Sequence, residues 1–168
     1  MTLGELNQLK HTEAAAELLK CCGSTRWAGE MTAARPFASV EELCEKADAV
    51  YESLNEEDWL EAFRAHPKIG GRKAATDQSQ QAQSWSAREQ SGVANAARET
   101  VDELAQKNRD YEARFGFIFI VCATGKSPEE MLTILKSRIG NDRHDELLIA
   151  ADEQRKITRL RLEKLLSS

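Results

Sequence analysis

Phe115-Gly116-Phe117-Ile118-Phe119-Ile120-Val121-Cys122 is the stretch on which the fold turns. It is apolar and rich in aromatic and β-branched residues, in a chain whose other segments carry helical spacing. Periodicity alone reads the run from Phe117 either as one more buried helix or as an extended segment. Gly116 tips the reading toward a break, because glycine is the usual residue just past a helix C-terminus. A lone extended segment carries backbone N–H and C=O groups that cannot be buried unsatisfied. Those groups must meet another part of the chain, water or a ligand.

Working outward, the preceding segment reads as a long helix from Ser86 to Arg114, with a bend near Gly92. Downstream, Ser127-Pro128-Glu129-Glu130 is a strong helix start, with Pro at the first helical position and Glu closing a capping box. Met131, Leu132, Leu135 and Ile139 then face inward until Gly140, and Asp142 caps a final helix carrying Leu147, Ile149, Ala150, Ile157, Leu160 and Leu165.

Toward the N-terminus, Thr2 and Glu5 form a capping box for a short helix through Gln8. A second helix is expected over 12–22, with Ala14, Ala15, Leu18 and Leu19 on one face and Gly23 as its stop. The stretch 24–35 reads as turn-rich, although Trp27 and Met31 are one helical turn apart. Ser39 and Glu42 open a helix whose stripe is Val40, Leu43, Cys44, Ala47, Val50 and Leu54. Asn55 caps another, with Trp59, Leu60 and Phe63 inside. That helix stops at His66, because Pro67 excludes its predecessor from the α region. The segment 74–83 is small and polar and reads as a surface loop. The expected fold class is all-α, a single-domain helical bundle over 1–168 with one short extended apolar segment.

Composition narrows the function classes. At 168 residues the chain can bury a real core as one domain. It is 41% hydrophobic and 30% charged, as globular proteins are, with a formal charge of −5. An acidic chain without a clustered basic face is not expected to bind nucleic acid. The basic residues of 155–164 are interleaved with acids and read as a solvated helix face. The longest apolar run, 117–123, is too short to span a bilayer. The four cysteines, Cys21, Cys22, Cys44 and Cys122, form no C-x-x-C pair and no metal-ligand spacing. Reduced thiols, a cytoplasmic location and no leader peptide are the expectation.

Few residues could carry chemistry. His66 sits at a helix C-terminus, where the helix dipole favours a cation, and a histidine can act as general acid or base. Lys68, Arg72 and Lys73 make its surroundings cationic, which suits an anionic substrate. The alternative is a plain helix cap beside a turn. Ser86 and Glu89 fit a capping box, yet the same helix N-terminus offers N–H donors to a polar ligand. Gln90 adds an amide that donates and accepts. Arg138 and Asn141 could bind a carboxylate or finish a helix. Trp27, Trp59 and Phe63 read as core. No Ser-His-Asp order, phosphate loop or nucleotide fingerprint is present.

The joint set Cys21-Cys22-Gly23, Trp27, Met31, Arg35-Pro36-Phe37, His66-Pro67-x-Ile69-Gly70, Ser86-x-x-Glu89-Gln90, Tyr111, Phe115-Gly116-Phe117-x-Phe119 and Arg138…Asn141 resembles one family. That family is the 2-oxo-4-hydroxy-4-carboxy-5-ureidoimidazoline (OHCU) decarboxylases of urate catabolism. The resemblance spans nearly the whole chain. It implies an all-helical homodimer, without metal or cofactor, that converts OHCU to (S)-allantoin and CO2. It implies that His66 is the proton donor and that Glu89 orients the substrate. Pro67, Ser86, Gln90 and the backbone of Phe119, Ile120, Val121, Cys122 and Ala123 would bind it. The ending Leu165-Leu166-Ser167-Ser168 lacks the peroxisomal signal of many eukaryotic members. A helical interaction module and a ureide hydrolase using His66 as base stand as the competing readings.

Overall fold

The computed structural model describes residues 1–68 and 98–167, and among them places eight α-helices and no strand. They are α1 (Leu3–Gln8), α2 (His11–Cys21), α3 (Thr25–Ala33), α4 (Val40–Glu52), α5 (Glu56–Arg64), α6 (Arg98–Phe115), α7 (Pro128–Arg138) and α8 (Arg143–Leu166). The all-α expectation holds. The helix start expected at Ser86 and the loop expected over 74–83 lie outside the described residues. By packing the chain divides into two compact units, Met1–Ala62 with Arg155–Ser168, and Phe63–Gln154.

In the first unit the caps follow the sequence closely. Thr2 and Glu5 make the reciprocal box that opens α1. Ser39 Oγ accepts from Glu42 N, while the Glu42 carboxylate accepts from Ala38 N. Asn55 and Asp58 cap each other's backbone at the start of α5. The 24–35 stretch differs from expectation, because it contains a full helix. Ser24 Oγ accepts from Trp27 N, and the new helix buries Trp27, Ala28, Met31 and Thr32. One cap and an i, i+4 apolar pair outweigh the weak helix propensities of Thr25, Gly29 and Thr32.

The face of α2 also needs correction. Ala14, Leu18 and Cys21 are inside, whereas Leu19 is 39% exposed. The i, i+4, i+7 row defines one stripe, and Leu19 falls beside it. The helix stops at Cys21 with Cys22 extended, and Gly23 does not adopt positive φ. The expected stripe of α4 holds apart from Val40, which is 40% exposed at the first turn.

α3 packs on both α2 and α4. Trp27 seats its indole fully inside and donates Nε1–H to the Ala47 carbonyl at 3.1 Å, which satisfies the polar tip of a large apolar group. The C-terminal part of α8 completes this core with Ile157, Leu162 and Leu165. The expectation of a solvated face over 155–164 fails at Arg161, which is buried and donates to the Lys20 carbonyl. Burial of so long a cation is tolerated because its head finds an acceptor. None of the four cysteines forms a disulfide, and all are buried. Burial pushes the Cys22 thiol up to about 11 and raises Cys21 and Cys44 as well.

The second unit contains the end of α5, α6, α7 and the start of α8, with α6 packed on α7. Gly116 closes α6 at φ +80°, and its N–H returns to the Glu112 carbonyl at 2.9 Å. A side chain there would be strained, so the glycine stop is a backbone requirement. The chain from Phe117 to Ala123 is neither helix nor strand, which removes the buried-helix alternative. Tyr111 is the hub of an aromatic cluster, with ring centroids 4.6 Å from Phe115, 5.9 Å from Phe117 and 5.3 Å from Phe119. Phe63 joins at 5.6 Å from Phe117. Asp142 caps α8 through the His144 N–H.

Candidate active site

His66 lies two residues past α5, and its backbone N–H bonds the Phe63 carbonyl at 3.1 Å. Pro67 follows this terminal turn directly. Its Nε2 is 2.5 Å from Oε1 of Gln154, a residue of α8 with no exposed surface. An amide oxygen can only accept, so Nε2 carries the proton in this arrangement. Lys68, on the far side of Pro67, reaches the Glu112 carboxylate at 2.7 Å. Both of those side chains are partly exposed, so the pair adds little stability and Lys68 is no desolvated nucleophile.

Phe119, Ile120, Val121, Cys122 and Ala123 are all buried. The backbone groups that the sequence left in need of partners find side chains. The Ile120 carbonyl accepts from Arg138 at 2.7 Å, and the Cys122 carbonyl accepts from Lys126 Nζ at 2.8 Å. The Cys122 N–H donates to Glu153 Oε2 at 3.3 Å. Lys126 N–H turns back to the Ala123 carbonyl at 3.0 Å, so the segment ends in a tight turn. It is thus held in a non-helical course by charged groups from α7, α8 and the turn that precedes α7.

Behind this segment lies a buried ion pair. Arg138 Nε donates to Glu146 Oε1 at 2.7 Å, Tyr111 donates its hydroxyl to the same oxygen at 2.5 Å, and Asn141 donates to Oε2 at 3.1 Å. The Arg138 guanidinium also stands 4.7 Å from the Phe119 ring centroid. Burial, then the bond to Glu146, holds the Tyr111 hydroxyl well above its ordinary pKa. The carboxylate that Arg138 and Asn141 bind is therefore the protein's own, and their work is to fasten α7, α8 and the Ile120 carbonyl together.

Of the residues singled out from sequence, the structure brings His66 and Cys122 onto consecutive residues of one helix, Gln154 and Glu153. Pro67 is half-buried beside His66. Ser86, Glu89 and Gln90 lie outside the described residues, as do Ile69, Gly70, Arg72 and Lys73. Sequence reasoning missed Gln154, Glu153 and Glu146. Polar residues on a helix normally face water, and the weak apolar periodicity of α8 offered no sign that these three turn inward. Among the described residues no three His, Cys, Asp or Glu side chains gather as a metal site, and no helix is long and apolar enough to cross a membrane.

The family model for OHCU decarboxylase matches residues 7–163. The chain belongs to the OHCU decarboxylase family. Among its relatives, the uric acid degradation bifunctional protein TTL of Arabidopsis thaliana is 42% identical over 147 residues, covering 88% of this chain and 45% of that protein. The bifunctional protein PucL of Bacillus subtilis is 28% identical over 99% of this chain and 33% of its own length. This OHCU decarboxylase family member thus spans less than half the length of its bifunctional relatives. The 2-oxo-4-hydroxy-4-carboxy-5-ureidoimidazoline decarboxylase of Haloferax volcanii is 29% identical and is covered over 98% of its length. A crystal structure of OHCU decarboxylase in the presence of (S)-allantoin superposes with a TM-score of 0.79 at 40% identity, covering 91% of this chain and 99% of that one. A crystal structure of (S)-allantoin synthase, 18% identical, shares the fold with a TM-score of 0.70, over 99% of this chain and 54% of that one.

Proposed function

We propose that this protein decarboxylates OHCU to (S)-allantoin and CO2, the last step of urate-to-allantoin conversion. The observation that carries the reading is the likeness, at 40% identity over almost the whole of that chain, to an OHCU decarboxylase solved with (S)-allantoin. The bifunctional relatives named for uric acid degradation support the same pathway, and the Haloferax relative's name supports the reaction.

In the proposed chemistry the bond from the ring carbon to the carboxylate breaks, CO2 leaves, and the electron pair passes into the substrate's own ring system. No pyridoxal or thiamine sink is needed, because the substrate supplies the delocalisation. One proton must then reach the ring carbon from a single face. His66 delivers it from Nδ1 of its imidazolium, Nε2–H staying on Gln154, and solvent then returns a proton to Nδ1. Glu89 orients the substrate through its ring or hydroxyl, while Ser86 and Gln90 hold adjacent polar atoms at a helix start. Pro67 shapes the wall, and the segment Phe119 to Ala123 meets the ureido or ring edge. What the protein contributes is orientation, electrostatics and stereospecific protonation. The extent of the family match supports one domain over 1–168. A homodimer in the cytoplasm, binding neither nucleic acid nor membrane, completes the proposal, and light scattering tests the dimer.

The deciding experiment generates OHCU fresh from urate with urate oxidase and 5-hydroxyisourate hydrolase, then adds this protein. Circular dichroism of the product is expected to rise as (S)-allantoin faster than spontaneous decay allows. A folded sample that leaves the rate unchanged refutes the proposal and favours the interaction-module reading. Breakdown of a ureide without CO2 release favours the hydrolase.

A further inference from the structure

We infer that Gln154 is a positioning residue for His66, fixing the imidazole with its Nε2 protonated. The inference rests on the proposed role of His66 as proton donor. Gln154 has no exposed surface, and a buried primary amide is unfavourable unless its polar atoms are bonded. Its Oε1 lies 2.5 Å from His66 Nε2, at a separation of 88 residues along the chain. A side chain that merely filled the core at that position would be apolar. The glutamine there presents its amide oxygen to the His66 ring.

The setting adds to this. Glu153, the preceding residue, accepts from the Cys122 N–H at 3.3 Å. Two consecutive residues of α8 thus engage the proposed acid and the proposed substrate-binding segment. The spacing between them is set by the helical backbone of α8, and the bond to Gln154 restrains the imidazole at Nε2. Proton delivery to one face of a carbon depends on how the ring is held, because a small misplacement of a catalytic group lowers the rate steeply.

The test uses the full chain and three forms of it, wild type, Gln154→Leu and Gln154→Glu. Nitrogen-15 NMR of labelled histidine reports which ring nitrogen carries the proton at a pH where imidazole is neutral. The sequence has three histidines, and His66→Ala assigns the signal by subtraction. Wild type is expected to show His66 as the Nε2–H tautomer, Gln154→Leu a mixture, and Gln154→Glu the Nε2–H form again, since a carboxylate also accepts.

In the OHCU assay, kcat of Gln154→Leu is expected to fall about tenfold, equivalent to about 1.4 kcal/mol. Its KM should stay within about twofold, because an interaction specific to the transition state has been removed. Gln154→Glu should recover most of the rate. A wild-type His66 in the Nδ1–H form overturns the inference without any variant. So does a Gln154→Leu protein with unchanged tautomer and kcat. Wild type inactive on OHCU would remove the proposed function, while the NMR comparison would still decide whether Gln154 sets the His66 tautomer.

Discussion

The Arg138–Glu146 pair permits the sharpest test of how the second unit is held together. Glu146 has no exposed surface and Arg138 is 6% exposed. Glu146→Gln keeps the shape of the side chain and an oxygen for the Tyr111 hydroxyl, but removes the charge facing the guanidinium. Breaking a buried ion pair from one side costs about 3–5 kcal/mol, because the other charge stays buried without compensation. A domain's whole stability is about 5–15 kcal/mol, so this single atom change consumes a large part of it. In a chain of 168 residues, where 1 kcal/mol shifts Tm by about 2–4 °C, the expected drop is about 6–20 °C. Arg138→Met should lose a similar amount and also strip the Ile120 carbonyl of its donor. The double variant Arg138→Met/Glu146→Leu should recover much of the loss, since two apolar side chains leave no charge behind. Urea denaturation of wild type, Arg138→Met, Glu146→Leu and Arg138→Met/Glu146→Leu closes the cycle, with Glu146→Gln measured beside it. Single losses under about 1 kcal/mol, or a double loss equal to the sum of the singles, would show that the pair is not coupled and refute the reasoning.

His66→Ala should abolish the acceleration of (S)-allantoin formation with the far-ultraviolet dichroism unchanged, and full turnover would remove His66 from the mechanism. Glu89→Gln should lose rate well beyond any change in melting temperature; a variant that only melts earlier would make Glu89 a helix cap. Alkaline pH should weaken the fold through the buried thiols. An unfolded Cys22 loses its proton from about pH 8.5, whereas the folded one holds it up to about 11. Between those values the folded state binds more protons, so stability falls as pH rises and is flat below the window. Urea midpoints at stepped pH, with Cys22→Ala flattening part of the slope, check this. Chelation should leave OHCU turnover intact, and activity lost to a chelator and restored by a divalent metal would overturn the metal-free chemistry.

Most helices were legible where a short-range device marks them, α3 with its Ser24 cap being the exception. Caps such as Thr2, Ser39, Asn55, Ser127 and Asp142 bond N–H groups two or three residues away, and Gly116 ends α6 because only glycine takes its positive φ without strain. Spacing alone was weaker. It passed over α3, whose Trp27–Met31 pair is a single turn of evidence, and it placed Leu19 on the wrong side of α2.

The site divides in the same way. His66 at a Pro-bounded helix end and the apolar run after Gly116 stand out from their neighbours, because local backbone rules shape both. The family likeness is likewise written in the sequence. What holds those elements is not. Gln154 reaches His66 across 88 residues, Arg138 reaches Ile120 across 18, and Tyr111 reaches Glu146 across 35. Each partner is a polar residue on a helix, indistinguishable in sequence from one facing water. Burial alone turns such a residue into a structural bond, by removing the competing solvent, and burial is decided only when the helices pack.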